Sequence, residues 1–491
     1  MSTLEFLNGS IIGECFEPKD TSKYNLVVIK TKDKQYVYSG NTGQIAEISQ
    51  KFEEDINNIL LYENVNLTEF ETTYPCIFSP SPIEEIIIGY SDEEIRHQIE
   101  TNLKHMTISI TNECNMRCKY CVYSGNFSHY RTHSNKVMSK KIAFKSADYF
   151  LDHISNDGEP KFFTFYGGEP LLNFSLIKEV ISYIKSRTTA NIYFSITTNG
   201  TLIDDEKIDF LINNKIFLMV SLDGDKQTHD KNRVFFTGNP TFEVIMKNLN
   251  SIKEISADYY KYYILFSVTL TEGCDYKIID DFFSKLENPC KISGVLAYGS
   301  RDIKPIKNTS KNIKYIINKF VQGCWSHTYD AIDTRGPYFF ALNVVGTTIK
   351  LLHTRDVSNC HLAKKQYMLR RHCIPGSTKI FVSPEGNFYP CEKLDSHDHL
   401  IIGNIYEGVN LEKVKKYLDN FIKIKNQKCK NCFLLNICNL CFQSASNGCI
   451  WDITKFELFC QYAKDDFKNG LVIYTTILEK DEDGLRFLER L

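Results

Sequence analysis

The stretch Met106–Cys121, MTISITNECNMRCKYC, leads a short strand (Met106–Thr111) almost directly into three cysteines spaced CxxxCxxC. Three thiolates on one short loop can bind three irons of a cubane and leave the fourth iron without a protein ligand. An open iron is what a reaction at a cluster needs, because a second molecule must bind there. Tyr120, just before the last cysteine, places an aromatic ring beside that molecule. A zinc loop is the other chemistry that such a cysteine group allows.

Working outward from this loop, a strand, loop and helix pattern repeats. Further strands are predicted at Lys161–Tyr166, Asn191–Thr197, Phe217–Leu222, Tyr262–Leu270 and Ile292–Ala297. Helices are predicted between them at Ser139–Ser155, Phe174–Arg187, Ile203–Asn214, Phe242–Ile255 and Ile278–Leu286. Alternation at this spacing means parallel strands with helical crossovers, hence an α/β sheet or barrel. Six β/α units fall short of the eight of a full barrel. Upstream, Tyr24–Thr31 and Gln35–Ser39 read as strands joined by a polar turn at Lys32–Lys34. Gln44–Phe52 and Asp55–Tyr62 read as short helices, so residues 1–95 suggest a winged-helix-like module. Pro75, Pro80 and Pro82 suggest a linker. Beyond residue 300 the regularity fades into loops, a hairpin at Lys379–Pro390 and cysteines.

A chain of 491 residues is long enough for two or three domains. Its 43% hydrophobic and 24% charged composition is that of a globular protein, and a net charge of −2 gives no argument for a nucleic-acid or lipid surface. No basic segment followed by a long apolar run opens the chain, and no apolar stretch approaches 18 residues, so a cytoplasmic protein is expected. In a reducing compartment the 17 cysteines speak for metal or redox chemistry rather than disulfides. Cys15, Cys76, Cys274, Cys290 and Cys324 are scattered and read as small buried hydrophobes. Seven cysteines fall between Cys360 and Cys441, with Cys449 and Cys460 beyond. Two CxxC pairs joined by five residues, Cys429-x2-Cys432-x5-Cys438-x2-Cys441, are metal-binding spacing after a hairpin that bears Cys391; zinc is the alternative here too.

The CNMRCKYC motif at the end of a strand resembles the radical S-adenosylmethionine (SAM) superfamily. Tyr166-Gly167-Gly168-Glu169-Pro170 is similar to the family's GGE motif, which holds the SAM amino group. Glycine lets backbone approach a ligand closely, and Glu169 supplies an ammonium partner. The resemblance implies that Asn199, Ser221 and Arg233 also lie around SAM, with serine on the ribose and arginine on the carboxylate. It implies a partial (β/α)6 barrel in which one electron cleaves SAM to a 5′-deoxyadenosyl radical that abstracts a substrate hydrogen.

The C-terminal cysteines resemble the SPASM domain, which adds two auxiliary [4Fe–4S] clusters and makes three in all. The usual pattern has three residues where this chain has two between Cys438 and Cys441. Carried over, Cys429, Cys432, Cys438 and Cys460 would hold an outer cluster. Cys373, Cys391 and Cys441 would hold an inner one, with Cys360 or Cys449 as a candidate fourth ligand. Glu392 matches the carboxylate that serves as general base in sulfatase-maturing relatives. The implied division is residues 1–95 recognising a leader peptide, 96–320 the barrel, 321–372 a bridge and 373–491 the SPASM domain.

An N-terminal module with Tyr36–Gly43 as hairpin strand and turn resembles the element that binds leader peptides of ribosomal natural products as an added strand. Cys121–Gly125 with Arg131–Ser134 resembles maturases of cysteine-rich precursor peptides that form thioether links of the ranthipeptide and sactipeptide type. The resemblance therefore implies a precursor peptide and an electron donor such as flavodoxin or ferredoxin as partners, with no nucleic acid and no membrane. Other readings are a sulfatase-maturing enzyme that makes formylglycine, a peptide epimerase or carbon–carbon crosslinking enzyme, or a zinc-binding interaction protein.

Overall fold

The computed structural model describes residues 2–4, 13–17, 24–48, 71–80, 83–125, 131–155, 157–286, 295–296, 310–330, 339–357, 365–369, 372–394, 397–447 and 450–490. At its centre, β7 (His105–Thr111), β8 (Lys161–Gly167), β9 (Ile192–Thr198), β10 (Phe217–Ser221) and β11 (Ile264–Ser267) pair in parallel, in chain order. Met106, Ile108 and Ile110 of β7 are buried on one face, and Thr107, Ser109 and Thr111 on the other. Helices Lys140–His153, Phe174–Arg187, Asp205–Asn213 and Phe242–Ile255 make the crossovers, as parallel pairing requires. The first begins where Ser139 Oγ accepts from the Ile142 amide. A sixth parallel step continues as β12 (Thr269–Leu270) beside β13 (Val295–Leu296). The strand expected to begin at Tyr262 begins at Ile264, because the helix Ala257–Tyr263 runs on until Tyr259 and Tyr260 are buried.

The predicted hairpin forms from β15 (Lys379–Val382) and β16 (Asn387–Tyr389), turning through Gly386 at φ +91°. It does not stand apart. β15 pairs in parallel with β7, with Lys379 opposite His105, so the hairpin extends the barrel sheet. Strands β17 (Gly403–Asn404) and β18 (Gly408–Val409) complete nine in one sheet. The Cys391 segment is thereby tied to the strand that leads into Cys114.

The N-terminal part differs from the expected two strands followed by short helices. Five antiparallel strands, β1 (Ser2–Leu4), β2 (Gly13–Phe16), β3 (Leu26–Lys30), β4 (Gln35–Ser39) and β5 (Ile45–Glu47), form one sheet in that order. Ile45–Glu47 was expected in a helix. It pairs instead with Tyr36–Tyr38 after a turn at Gly43 (φ +74°), the neighbouring strand outweighing local propensity. Residues 49–70, with the rest of both expected helices, lie outside the described residues. The expected linker is packed: Ile77 and Phe78 are buried with Tyr24, Leu26, Val28 and Val37. Cys15 and Cys324 are buried and free as expected, Cys274 is half-buried, and Cys290 lies outside the described residues. Cys76 is disulfide-bonded, which corrects its reading as a small hydrophobe.

Among the described residues four α-helices stand where regularity appeared to fade: Ser310–Trp325, Phe339–His353, Leu411–Lys428 and Ile453–Lys480. The last carries the N-terminal sheet, with the Tyr38 and Phe467 rings 5.5 Å apart and Lys468 paired to Glu17 at 2.8 Å. No helix among the described residues is long and apolar enough to cross a membrane.

Candidate functional site

The loop after β7 holds Cys114, Cys118 and Cys121 close enough that each opposes another's ionisation. Burial pushes the Cys114 thiol up to about 12 and the Cys118 thiol to about 11, and it raises Cys121 as well. Backbone amides turn toward the sulfurs: Met116 N donates to Cys114 Sγ and Tyr123 N to Cys121 Sγ, both at 3.4 Å. Three thiols on one loop, with amide donors aimed at two of them, fit an iron–sulfur cluster with one open iron.

Gly167 and Gly168 end β8 against this loop. A β-carbon on Gly167 would lie 2.2 Å from the Thr111 carbonyl oxygen, and one on Gly168 2.2 Å from that of Glu113. Their backbones bond there as well, Gly168 N to Thr111 O at 2.7 Å and Glu169 N to Glu113 O at 2.8 Å. The two glycines thus seat the cysteine loop on the strand. Gly168→Ala must push that loop aside, at about 1–3 kcal/mol. Gly168 has no left-handed backbone, so the clash alone sets that cost. Thermal unfolding and iron content measure it; a Gly168→Ala variant with unchanged Tm and unchanged iron would refute the seating role.

Glu169 is fully buried and accepts three hydrogen bonds: from Leu171 N at 3.0 Å, Thr198 Oγ1 at 2.7 Å and Asn199 N at 2.7 Å. Burial outweighs these bonds and lifts the carboxyl to about 7. A carboxylate has about four acceptor sites, so one remains for an ammonium. Asn199 Nδ2 donates to Asn115 Oδ1 at 2.8 Å and reaches Cys114 Sγ at 3.8 Å. Thr201 closes that network through Asn199 Oδ1 and Asn115 Nδ2.

Ser221, at the end of β10, stands opposite Ser267. Two residues on, Asp223 is 1% exposed and organises this side. Its Oδ2 lies 3.0 Å from Arg233 Nε and accepts from Tyr120 Oη, while Oδ1 accepts from Thr269 N at 2.9 Å. The Arg233 guanidinium lies 5.2 Å from the Tyr120 ring centre, and its Nη1 is 4.0 Å from Cys118 Sγ. His229, fully buried behind them, is pushed down to about 3 by burial and by Arg233, so it stays neutral. The Leu222-Asp223-Gly224 end of the strand was the available signal, but Asp before Gly reads equally as a turn.

Residues 108–272 match the model of the Radical SAM superfamily. They form a radical SAM domain. Such a domain works with a [4Fe–4S] cluster and SAM. The chain is 25% identical over 380 residues to the cysteine-type anaerobic sulfatase-maturating enzyme of Clostridium novyi (strain NT), covering 74% of this chain and 93% of that one. It is 33% identical over 147 residues to the serine-type anaerobic sulfatase-maturating enzyme of Bacteroides thetaiotaomicron, covering 29% and 34%. It is 28% identical over 275 residues to the radical SAM cyclopropyl synthase TigE of Paramaledivibacter caminithermalis, covering 50% and 55%. The chain thus spans about a third and about half of the latter two. Native anSMEcpe with bound AdoMet shares the fold, with a TM-score of 0.56 at 18% identity over 76% of this chain and 98% of that one. The radical SAM relatives are enzymes, and this chain is an enzyme.

Beyond the radical SAM domain, the C-terminal thiols fall into two groups. Cys429, Cys432, Cys438 and Cys460 lie within electrostatic reach of one another. Cys373, Cys391 and Cys441 form the other group. Cys360 and Cys449 lie outside the described residues. Among the described residues no three His, Cys, Asp or Glu side chains converge as the ligands of one ion do. In a cubane each thiolate serves a separate iron. Arg131 joins the second group to the radical SAM domain. Its guanidinium lies 4.2 Å from the Phe381 ring centre and 5.8 Å from that of Tyr123, and it donates to the Glu392 carbonyl at 3.0 Å. The Glu392 carboxylate is paired with Lys379 at 2.8 Å. Burial alone would raise it, but Lys379 wins and holds it below the usual carboxylate range. A carboxylate so held is a weak proton acceptor, which counts against Glu392 as general base.

Proposed function

We propose that this enzyme is a peptide maturase that joins a cysteine sulfur of a ribosomally made precursor peptide to a carbon of the same peptide. The reading is carried by one observation: two further groups of thiols gather beyond the radical SAM domain, and the β15–β7 pairing and Arg131 tie the Cys391 group to it. Two auxiliary [4Fe–4S] clusters at those thiols would take up the surplus electron or hold a peptide thiolate; with the cluster at Cys114, Cys118 and Cys121 that makes three. Cys360 is kept as a candidate fourth ligand of the inner one. Tyr120, Gly167, Gly168, Glu169, Asn199, Ser221 and Arg233 would line SAM. Each contributes here by position: Glu169 meets the ammonium, Arg233 the carboxylate, and the buried walls exclude water. At the N-terminus, β5 is an edge strand paired on one side with β4, which suits addition of a leader peptide as a sixth strand.

A second reading, formylglycine formation in a sulfatase, is favoured by the match that spans 93% of the Clostridium novyi enzyme. One assay separates the two. A cysteine-rich precursor peptide incubated with reconstituted enzyme, SAM and reductant should lose two hydrogens, keep its sulfur and lose one alkylatable thiol. Loss of the sulfur itself would place the chain with the sulfatase maturases. Loss of two hydrogens with every thiol still alkylatable would indicate a carbon–carbon product or a serine oxidised to formylglycine, which a carbonyl-reactive hydrazide tells apart.

A further inference from the structure

The helix Leu411–Lys428 turns one lysine inward. Lys425 is fully buried on the face that also buries Val414, Tyr417, Leu418 and Phe421. Its Nζ donates to Cys438 Sγ at 3.6 Å and lies 5.3 and 5.8 Å from the ring centres of Phe421 and Phe456. Among the described residues no carboxylate lies within ion-pair distance of it. Glu457, the acid beside the Cys460 thiol, is paired with Lys428. A buried cation without a counter-charge is costly, and the two ring faces offset only part of that cost. Neutral thiols do not balance it. A four-thiolate cluster, which is net negative, does.

The surroundings of the two thiol groups differ in charge. Lys464 also acts on Cys432, Cys460 and Cys429, and its Nζ lies 5.6 Å from the Phe433 ring centre. Beside Cys391 the cation that acts on its thiol, Lys379, is paired with Glu392 at 2.8 Å, and Arg131 is turned to the carbonyls of Glu392 and Leu394 rather than to a sulfur. Reducing a cluster adds negative charge, so a fixed cation and an N–H aimed at a ligand sulfur both favour the reduced state.

We propose that Lys425 raises the reduction potential of a cluster held by Cys429, Cys432, Cys438 and Cys460 above that of the Cys373, Cys391 and Cys441 site, so that electrons entering the pair settle outward. Lys425 is a positioning charge, not a catalytic residue. The inference rests on the reading that these cysteines hold iron–sulfur clusters.

The test is a potentiometric titration of the anaerobically reconstituted full chain, read by electron paramagnetic resonance after iron has been counted. Lys425→Met keeps the bulk and deletes the charge; Lys425→Arg keeps the charge. At unchanged iron, Lys425→Met should lower one cluster's one-electron reduction equilibrium at least about tenfold, about 59 mV, leaving the others in place. Lys425→Arg should restore it. Lys464→Met, at a less buried position, should move the same couple in the same direction by less, and it decides the matter if Lys425→Met does not fold. Full iron with unmoved midpoints overturns the proposal and leaves the cluster reading intact. Iron content that is unchanged when Cys429 and Cys432 are both replaced by alanine overturns both.

Discussion

Replacing Cys114, Cys118 and Cys121 together by alanine should remove about four irons per chain and reduce SAM cleavage to the level of an enzyme-free control. About eight irons should stay, because the C-terminal thiols form their own groups on other elements. The fold should survive, since burial already opposes charge on these thiols and alanine removes that burden. Iron analysis and product chromatography check both halves. Complete loss of iron would mean that the C-terminal thiols hold none, and the proposed auxiliary clusters would go with them.

Asp223→Ala should be the most damaging single change around the site. It leaves Arg233, 7% exposed, without its carboxylate and strands the Tyr120 hydroxyl and the Thr269 amide. Breaking a buried pair from one side costs about 3–5 kcal/mol, because the surviving charge stays buried. Removing Arg233 as well should recover part of that loss, since the uncompensated cation goes too. Denaturant unfolding of the two single variants and the double variant measures this coupling. Additive losses would show that Asp223 acts on stability independently of Arg233. SAM affinity should fall in both single variants, since the pair fixes the guanidinium beside Cys118.

Much of the barrel was legible because its strands are short apolar runs separated by amphipathic helices. Phe174–Arg187 and Phe242–Ile255 form at the expected bounds, and the hairpin turns at Gly386 as its Glu-Gly-Asn signal indicates. The helix Leu411–Lys428 also carried a readable pattern, with Asn410 as cap and Val414, Tyr417, Leu418, Phe421 and Ile424 on one face. Its lysines, and the buried Lys425 among them, lower the contrast between the faces. The helix Ile453–Lys480 was harder. From Leu471 to Ile477 nearly every side chain is buried, so LVIYTTI shows no helical period and its β-branched residues suggest a strand. Packing against the N-terminal sheet and against the helix Phe339–His353 overrides that preference; a β-carbon on Gly470 would lie 2.8 Å from Thr348 Cγ2. The role of Asp223 was hidden for a different reason. Its importance lies in meeting Tyr120 and Arg233, and that meeting exists only once β10 and the cysteine loop share one end of the sheet.

The central claim is that the loop of Cys114, Cys118 and Cys121 enables SAM cleavage. The most direct measurement is to incubate the anaerobically reconstituted full chain with SAM and a low-potential reductant and quantify 5′-deoxyadenosine and methionine. The account predicts both products in equal amounts, dependent on reductant and abolished in the triple-alanine variant. A fully iron-loaded protein that yields neither would contradict it.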